Sequence, residues 1–167
     1  MKRKVFYSFH YKPDNWRASQ VRNIGKVEGN SPASDNDWEE VTKDGDDAIQ
    51  KWIDDQLKGR GCTVVLIGNK TAGRKWIDYE IEKSWNDKKG ILGVHIHNLK
   101  NSKGNQGTKG ANPFSNFTMC DGKKKMTSVV KCYDPPYKTS SNVYNYISEN
   151  IEDWIEAAIE ARNDFNC

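Results

Sequence analysis

Residues 62–67, CTVVLI, form an unbroken apolar and β-branched run. A strand of that composition offers no polar face to water, so it must be covered on both sides, as inner strands of parallel sheets are. The flanking segments supply the cover. Residues 44–58 carry Ile49, Trp52, Ile53, Gln56 and Leu57 on one face at helical spacing. Asp44, Asp46 and Asp47 favour the N-terminus of that helix, and Gly59 and Gly61 end it. Residues 74–88 repeat the pattern with Ile77, Ile81 and Trp85, and residues 91–96, ILGVHI, give the next buried strand.

The alternation extends to both ends. Residues 4–9, KVFYSF, predict a short first strand, and 14–24 a first helix with Trp16 and Val21 facing inward. Gly25 to Asp37 carries no strand signal, so any second strand there is short or lost. A Gly-, Asn- and Lys-rich connection over about 97–127 is longer than usual. Beyond it, SVVKCY at 128–133 gives a weaker strand. Residues 141–162 give a final amphipathic helix with Tyr144, Ile147, Ile151, Trp154, Ile155 and Ala158 inward. Strands alternating with helices imply an α/β fold of flavodoxin-like type: a central parallel sheet with helices on both faces. A chain of 167 residues suits one such domain over 1–167.

Several function classes are disfavoured by composition. A net charge of +3 is too mild to argue for nucleic acid. No apolar run reaches membrane-spanning length. The basic then apolar N-terminus is interrupted by His10 and Lys12 and is followed by no small-residue cleavage site, so a cytoplasmic location is expected. Cys62, Cys120, Cys132 and Cys167 are widely scattered, which points to reduced thiols and neither a zinc site nor a disulfide framework.

Ligands of open parallel sheets bind beyond the carboxyl ends of the strands, where strand order reverses. In a flavodoxin-like order that place lies between the first strand and the strand at 62–67. Ser8, Phe9, His10 and Tyr11 then meet the segment Asn69-Lys70-Thr71 that leads to Trp76 and Glu80. Trp76 and Glu80 sit one helical turn apart, with Glu80 at the edge of the stripe made by Ile77 and Ile81. A carboxylate there can orient a sugar hydroxyl or stabilise a cationic transition state. Spacing alone fits a solvated helix glutamate beside Asp78 and Glu82 better. His10 fits a base or stacking ring and a structural histidine equally. His95 and His97 have possible metal spacing but no third ligand, so structural roles are expected and no metal is assigned.

The stretches KRKVFYSFHY, DWEEVTKDGDDAIQKWIDDQL, TVVLIGNKTAGRKWIDYEIEKS and GILGVHIHNLKNSKGNQGTKGANPF occur in that order, from about residue 2 to Phe114. Together they resemble the TIR-like family of the bacterial Thoeris anti-phage subunit ThsB. The most specific parts are R-K-W-x-x-x-E and K-G-x-N-P-F. The resemblance implies a TIR enzyme that cleaves NAD+ at the nicotinamide glycosidic bond and makes an ADP-ribose-derived, commonly cyclic, signal for a separate effector protein. It implies Glu80 as the catalytic residue, with Ser8, Phe9, His10, Tyr11 and Trp76 binding substrate, and the switch-point geometry adds Thr71 to that set. NAD+ is then a substrate, and no cofactor is implied. A phage-derived trigger and self-association into a homo-oligomer are further expected partners, with the polar segments 25–37 and 97–125 ordering on binding to complete the pocket.

Other flavodoxin-like activities fit less well. A phosphorylation receiver needs an acidic pair after the first strand and an Asp after 62–67, where the chain has Ser8, His10, Gly68 and Asn69. SFHYKP is no flavin phosphate loop, and no GxGxxG or P-loop pattern is present.

Overall fold

The computed structural model describes residues 2–30 and 41–167. Four parallel strands make the central sheet: β1 (Val5–Ser8), β2 (Cys62–Ile67), β3 (Gly90–His95) and the short β6 (Cys132–Tyr133), side by side in the order β1-β2-β3-β6. Beyond β1, Glu28 forms a single parallel bridge with Lys4. Among the described residues this one rung stands where a second strand was expected to be short or lost. The strand order therefore reverses between β1 and β2, as in flavodoxin-like sheets.

Every residue of β2 and β3 is buried, because both faces are covered. On one face, Val64, Leu66 and Val94 pack against Ala18 and Val21 of α1 (Tyr11–Arg22) and Ile147 and Ile151 of α4 (Ser140–Asn163). On the other, Val65, Ile67 and Ile91 pack against Ile77 and Ile81 of α3 (Lys75–Asn86). Phe6 of β1 is enclosed there by Ile49, Ile53 and Leu57 of α2 (Asp46–Leu57). Successive strand residues point to opposite faces, so each residue's parity decides which helices it meets.

Four expectations need correction. The first helix starts at Tyr11, a turn earlier than expected, and Trp16 is 56% exposed. The buried stripe is Asp14, Arg17, Ala18 and Val21. Two charged residues can lie on it because Asp14 and Arg17 pair at 3.2 Å, and Arg17 also donates to the carbonyls of Leu99 and Asn105. Most of SVVKCY is not strand: Met126–Ser128 forms a 3-10 turn that delays pairing until Cys132. Cys120 and Cys167 are disulfide-bonded, with Cα atoms 5.3 Å apart. Their separation of 47 residues gave no spacing signal; a small hairpin, β4 (Thr118–Met119) with β5 (Lys124–Lys125), carries Cys120 to the chain's end.

The long connection is also better anchored than its composition suggests. Phe114 is wholly buried, the Gly107 N–H reaches the carbonyl of His97 at 2.6 Å, and Gly110 lies against the Gly68 backbone. None of its residues walls the cavity described below. The other expected ordering segment, 25–37, is tied to β1 through Glu28 and Asn30, and its residues 31–37 lie outside the described ones.

Helix α4 lies close against the backbone of β3. A Cβ at Gly90 would lie 2.7 Å from the backbone nitrogen of Ile159 and 2.9 Å from the carbonyl carbon of Ala158. These are helix backbone atoms and cannot rotate aside. Gly90→Ala is expected to lower stability by about 1–3 kcal/mol, read as a fall in the urea midpoint at unchanged m-value. An unchanged midpoint would show that α4 is not seated this closely.

Candidate active site

Parity builds the site. Phe6 must face α2 to be buried, so Ser8, two residues on, faces the same side of the sheet. There it meets α3. The Ser8 hydroxyl donates to Oε2 of Glu80 across the β1–α3 boundary. Glu80 is 8% exposed and Ser8 1%, so the contact is screened from water.

A second hydroxyl contact one turn along fixes α3 against the sheet. Ser84 donates to the carbonyl oxygen of Glu80 at 2.6 Å, which leaves Thr63 of β2 to donate to Ser84 at 2.7 Å. Thr63 is the in-register neighbour of Phe6, and Val65 that of Ser8. With Ile77 and Ile81 anchoring the helix on either side of Glu80, α3 has one rotation and one axial position.

Glu80 borders a cavity of about 530 Å³ at the carboxyl end of β1, within the roughly 300–1,000 Å³ of small-molecule sites. Its walls come from three places. The end of β1 and the start of α1 give Phe6, Tyr7, Phe9, His10, Tyr11 and Lys12. The start of α3 gives Arg74, Lys75, Trp76 and Ile77, and Trp52 of α2, Arg22 and Asn30 complete it. The aromatic walls are braced: Phe9 and Tyr11 stack with centroids 6.2 Å apart, and Trp76 meets Tyr79 edge-on at 5.9 Å. Asn30 accepts the Tyr7 N–H at 3.0 Å, and the Arg22 guanidinium lies 5.8 Å from the Tyr7 ring centre.

The electrostatics are lopsided. Burial raises the Glu80 carboxyl to a pKa of about 8, and the hydrogen bond from Ser8 opposes that rise. Burial outweighs one hydrogen bond here, so Glu80 is largely protonated at neutral pH. His10 is pushed down by burial and by the charges of Arg74 and Lys70, which keeps its imidazole neutral. Lys12, Arg22, Arg74 and Lys75 stand in the walls, although Lys75 is paired with Asp46. Among the described residues the cavity thus offers aromatic surfaces, positive charge and a single carboxyl that burial keeps protonated near neutral pH.

Of the residues expected from sequence, Phe9, His10, Tyr11, Trp76 and Glu80 share this cavity, and Ser8 touches Glu80 from behind. Thr71 does not join them. It is wholly buried, outside the walls, and its hydroxyl accepts the Gly68 N–H at 2.8 Å to close the β2–α3 turn. Tyr7, Arg22, Trp52 and Arg74 were missed. Arg74 and Lys75 were readable in principle, because the residues that open a helix at a strand's carboxyl end face the same crevice.

The two strand histidines lie elsewhere, both buried, with rings edge-to-face at 5.8 Å. Among the described residues no group of three or more His, Cys, Asp or Glu side chains converges as a metal site, and no helix is long and apolar enough to cross a membrane.

The family model for the TIR-like domain of the Thoeris protein ThsB matches residues 6–101, which include all of β1 but Val5, together with α3 and Glu80. ThsB1 of Bacillus cereus (strain MSX-D12), whose name proposes cyclic ADP-D-ribose synthase activity, is 38% identical over 119 residues. That alignment covers 68% of this chain and 62% of the relative, so the chain matches less than two thirds of the relative's length. With the family match spanning more than half of the sequence and the fold in agreement, the chain belongs to the TIR-like family of the Thoeris protein ThsB.

Proposed function

We propose that the protein cleaves the nicotinamide glycosidic bond of NAD+ and converts the ADP-ribose part into a cyclic signal that activates a separate effector in anti-phage defence. The observation that carries this reading is the buried carboxyl of Glu80 at the edge of an aromatic, positively charged cavity. The family assignment and the relative's name support the product class.

The chemistry asks little of the protein. When the bond between ribose C1′ and the pyridinium nitrogen breaks, its electron pair neutralises nicotinamide, and positive charge develops on the ribose. A carboxylate close to that ribose stabilises the charge and orients the hydroxyls. The positive charge of the nicotinamide ring favours the ionised form of a nearby acid, so seating that end beside Glu80 would itself help discharge its proton. Trp76, Phe9 and Tyr11 exclude water and thereby favour attack on C1′ by a group of the same molecule, which loses its proton as the ring closes. Lys12 and Arg74 suit the diphosphate. In this reading NAD+ is a substrate and no cofactor is needed. The protein works in the cytoplasm, gated by a phage-derived trigger or by self-association.

Glu80→Gln is expected to reduce nicotinamide release from NAD+ at least about 100-fold, followed by mass spectrometry with and without phage-infected lysate. Equal release by variant and native protein would overturn the assignment.

The same variant checks that the loss is not unfolding. A carboxyl whose folded pKa lies above its unfolded value stabilises the fold below the unfolded pKa and loses that contribution as pH rises through the folded one. For Glu80 this window runs from 4.5 to about 8. Glu80→Gln is therefore expected to match the native melting temperature at pH 4 and to exceed it by on the order of 5 °C at pH 8.5. Parallel melting curves across that range would show that Glu80 is not buried as described.

A further inference from the structure

Resting on the reading of Glu80 as the reacting carboxyl, we propose that Ser8 is a positioning residue: its hydroxyl ties Oε2 of Glu80 to the end of β1 and leaves Oε1 as the oxygen presented to the ligand. The geometry separates the two ends of this contact. Glu80 borders the cavity and Ser8 does not. Ser8 is 1% exposed, its hydroxyl donates to Oε2, and no second partner of the Glu80 carboxyl is found among the described residues.

The contact is not what seats the helix. Ile77 and Ile81 pack α3 into the core, and the chain Thr63–Ser84–Glu80 carbonyl fixes its register from the neighbouring strand. Removing the Ser8 hydroxyl therefore leaves the backbone of Glu80 in place and frees only the carboxyl. A glutamate side chain has several staggered rotamers, and without its tether Oε2 loses its buried donor.

The hydroxyl has a second effect on the same carboxyl. It donates to the ionised form more strongly than to the protonated one, so it holds proton affinity down against burial. Among the described residues the titratable groups that share the cavity with Glu80 are the cations Lys12, Arg22, Arg74 and Lys75, the neutral His10, and the phenols of Tyr7 and Tyr11. None of them supplies a hydrogen bond to the carboxyl that would replace Ser8.

The test follows the carboxyl itself. Protein labelled with ¹³C at the glutamate side-chain carboxyl is titrated by NMR, and the Glu80 resonance is the one missing from Glu80→Gln. Ser8→Ala is expected to titrate about one to two pH units higher than the native protein, and Ser8→Thr, which keeps the hydroxyl, close to the native value. The acid limb of kcat/KM for NAD+ is expected to move by the same amount, so that the Ser8→Ala deficit, about tenfold or more at pH 7, shrinks towards pH 9.5. Ser8→Cys keeps the side-chain volume with a weak donor and carries the same test if Ser8→Ala does not fold. An unshifted Glu80 titration in the alanine and cysteine variants would overturn the proposal, as would a deficit that is equal at every pH. Failure of the NAD+ reading looks different: Glu80→Gln would retain turnover while the titration still reported on Ser8.

Discussion

Phe6 has to be buried under α2, and that requirement aims everything that follows it on β1. A strand alternates faces, so fixing Phe6 fixes Ser8 on the α3 side and Val5 and Tyr7 on the side of α1 and α4. A one-residue slip would turn Ser8 away from Glu80 and leave the carboxyl buried with no donor. Hydrophobic packing and the site are thus the same constraint, met once. The price of a buried, uncompensated carboxylate is high, and the fold limits it by keeping the carboxyl protonated near neutral pH.

The second determinant is the degraded strand next to β1. Among the described residues Glu28 alone bridges to the outer side of β1, and the strand order reverses between β1 and β2. Among the described residues the crevice at the reversal is walled by side chains from β1, α1, α2 and α3, which makes it largely aromatic. Rigidity on the opposite side of the sheet comes from α4, which approaches β3 closely enough to require glycine at position 90.

Much of this was legible in the sequence because it depends on pattern. CTVVLI could only be a doubly covered strand, and the stripes of Ile49, Ile53 and Leu57 and of Ile77 and Ile81 could only be helix faces. The switch point then placed Ser8, His10, Trp76 and Glu80 near each other. What failed did so for local physical reasons. Trp16 looked like core by hydrophobicity, but an Asp14–Arg17 pair took the buried stripe, and no single-residue scale anticipates a paired charge. Thr71 sits in the right turn but spends its hydroxyl on the Gly68 N–H. The Cys120–Cys167 bond depends on a hairpin whose lysine-rich sequence gives no strand signal. The burial of Glu80 was readable only as a position on the edge of a stripe, and the Ser8 contact required both parities at once.

The central claim is that the Glu80 carboxyl meets the reacting ribose. A crystal structure with carba-NAD+, in which a methylene replaces the oxygen of the nicotinamide ribose ring and cleavage is blocked, tests it most directly. The account predicts that this ribose lies in the cavity between Trp76 and the Phe9–Tyr11 stack, with a hydroxyl within hydrogen-bond reach of Glu80 and the diphosphate toward Lys12 and Arg74. A dinucleotide bound elsewhere, or one seated in the cavity with its nicotinamide end away from Glu80, would contradict it.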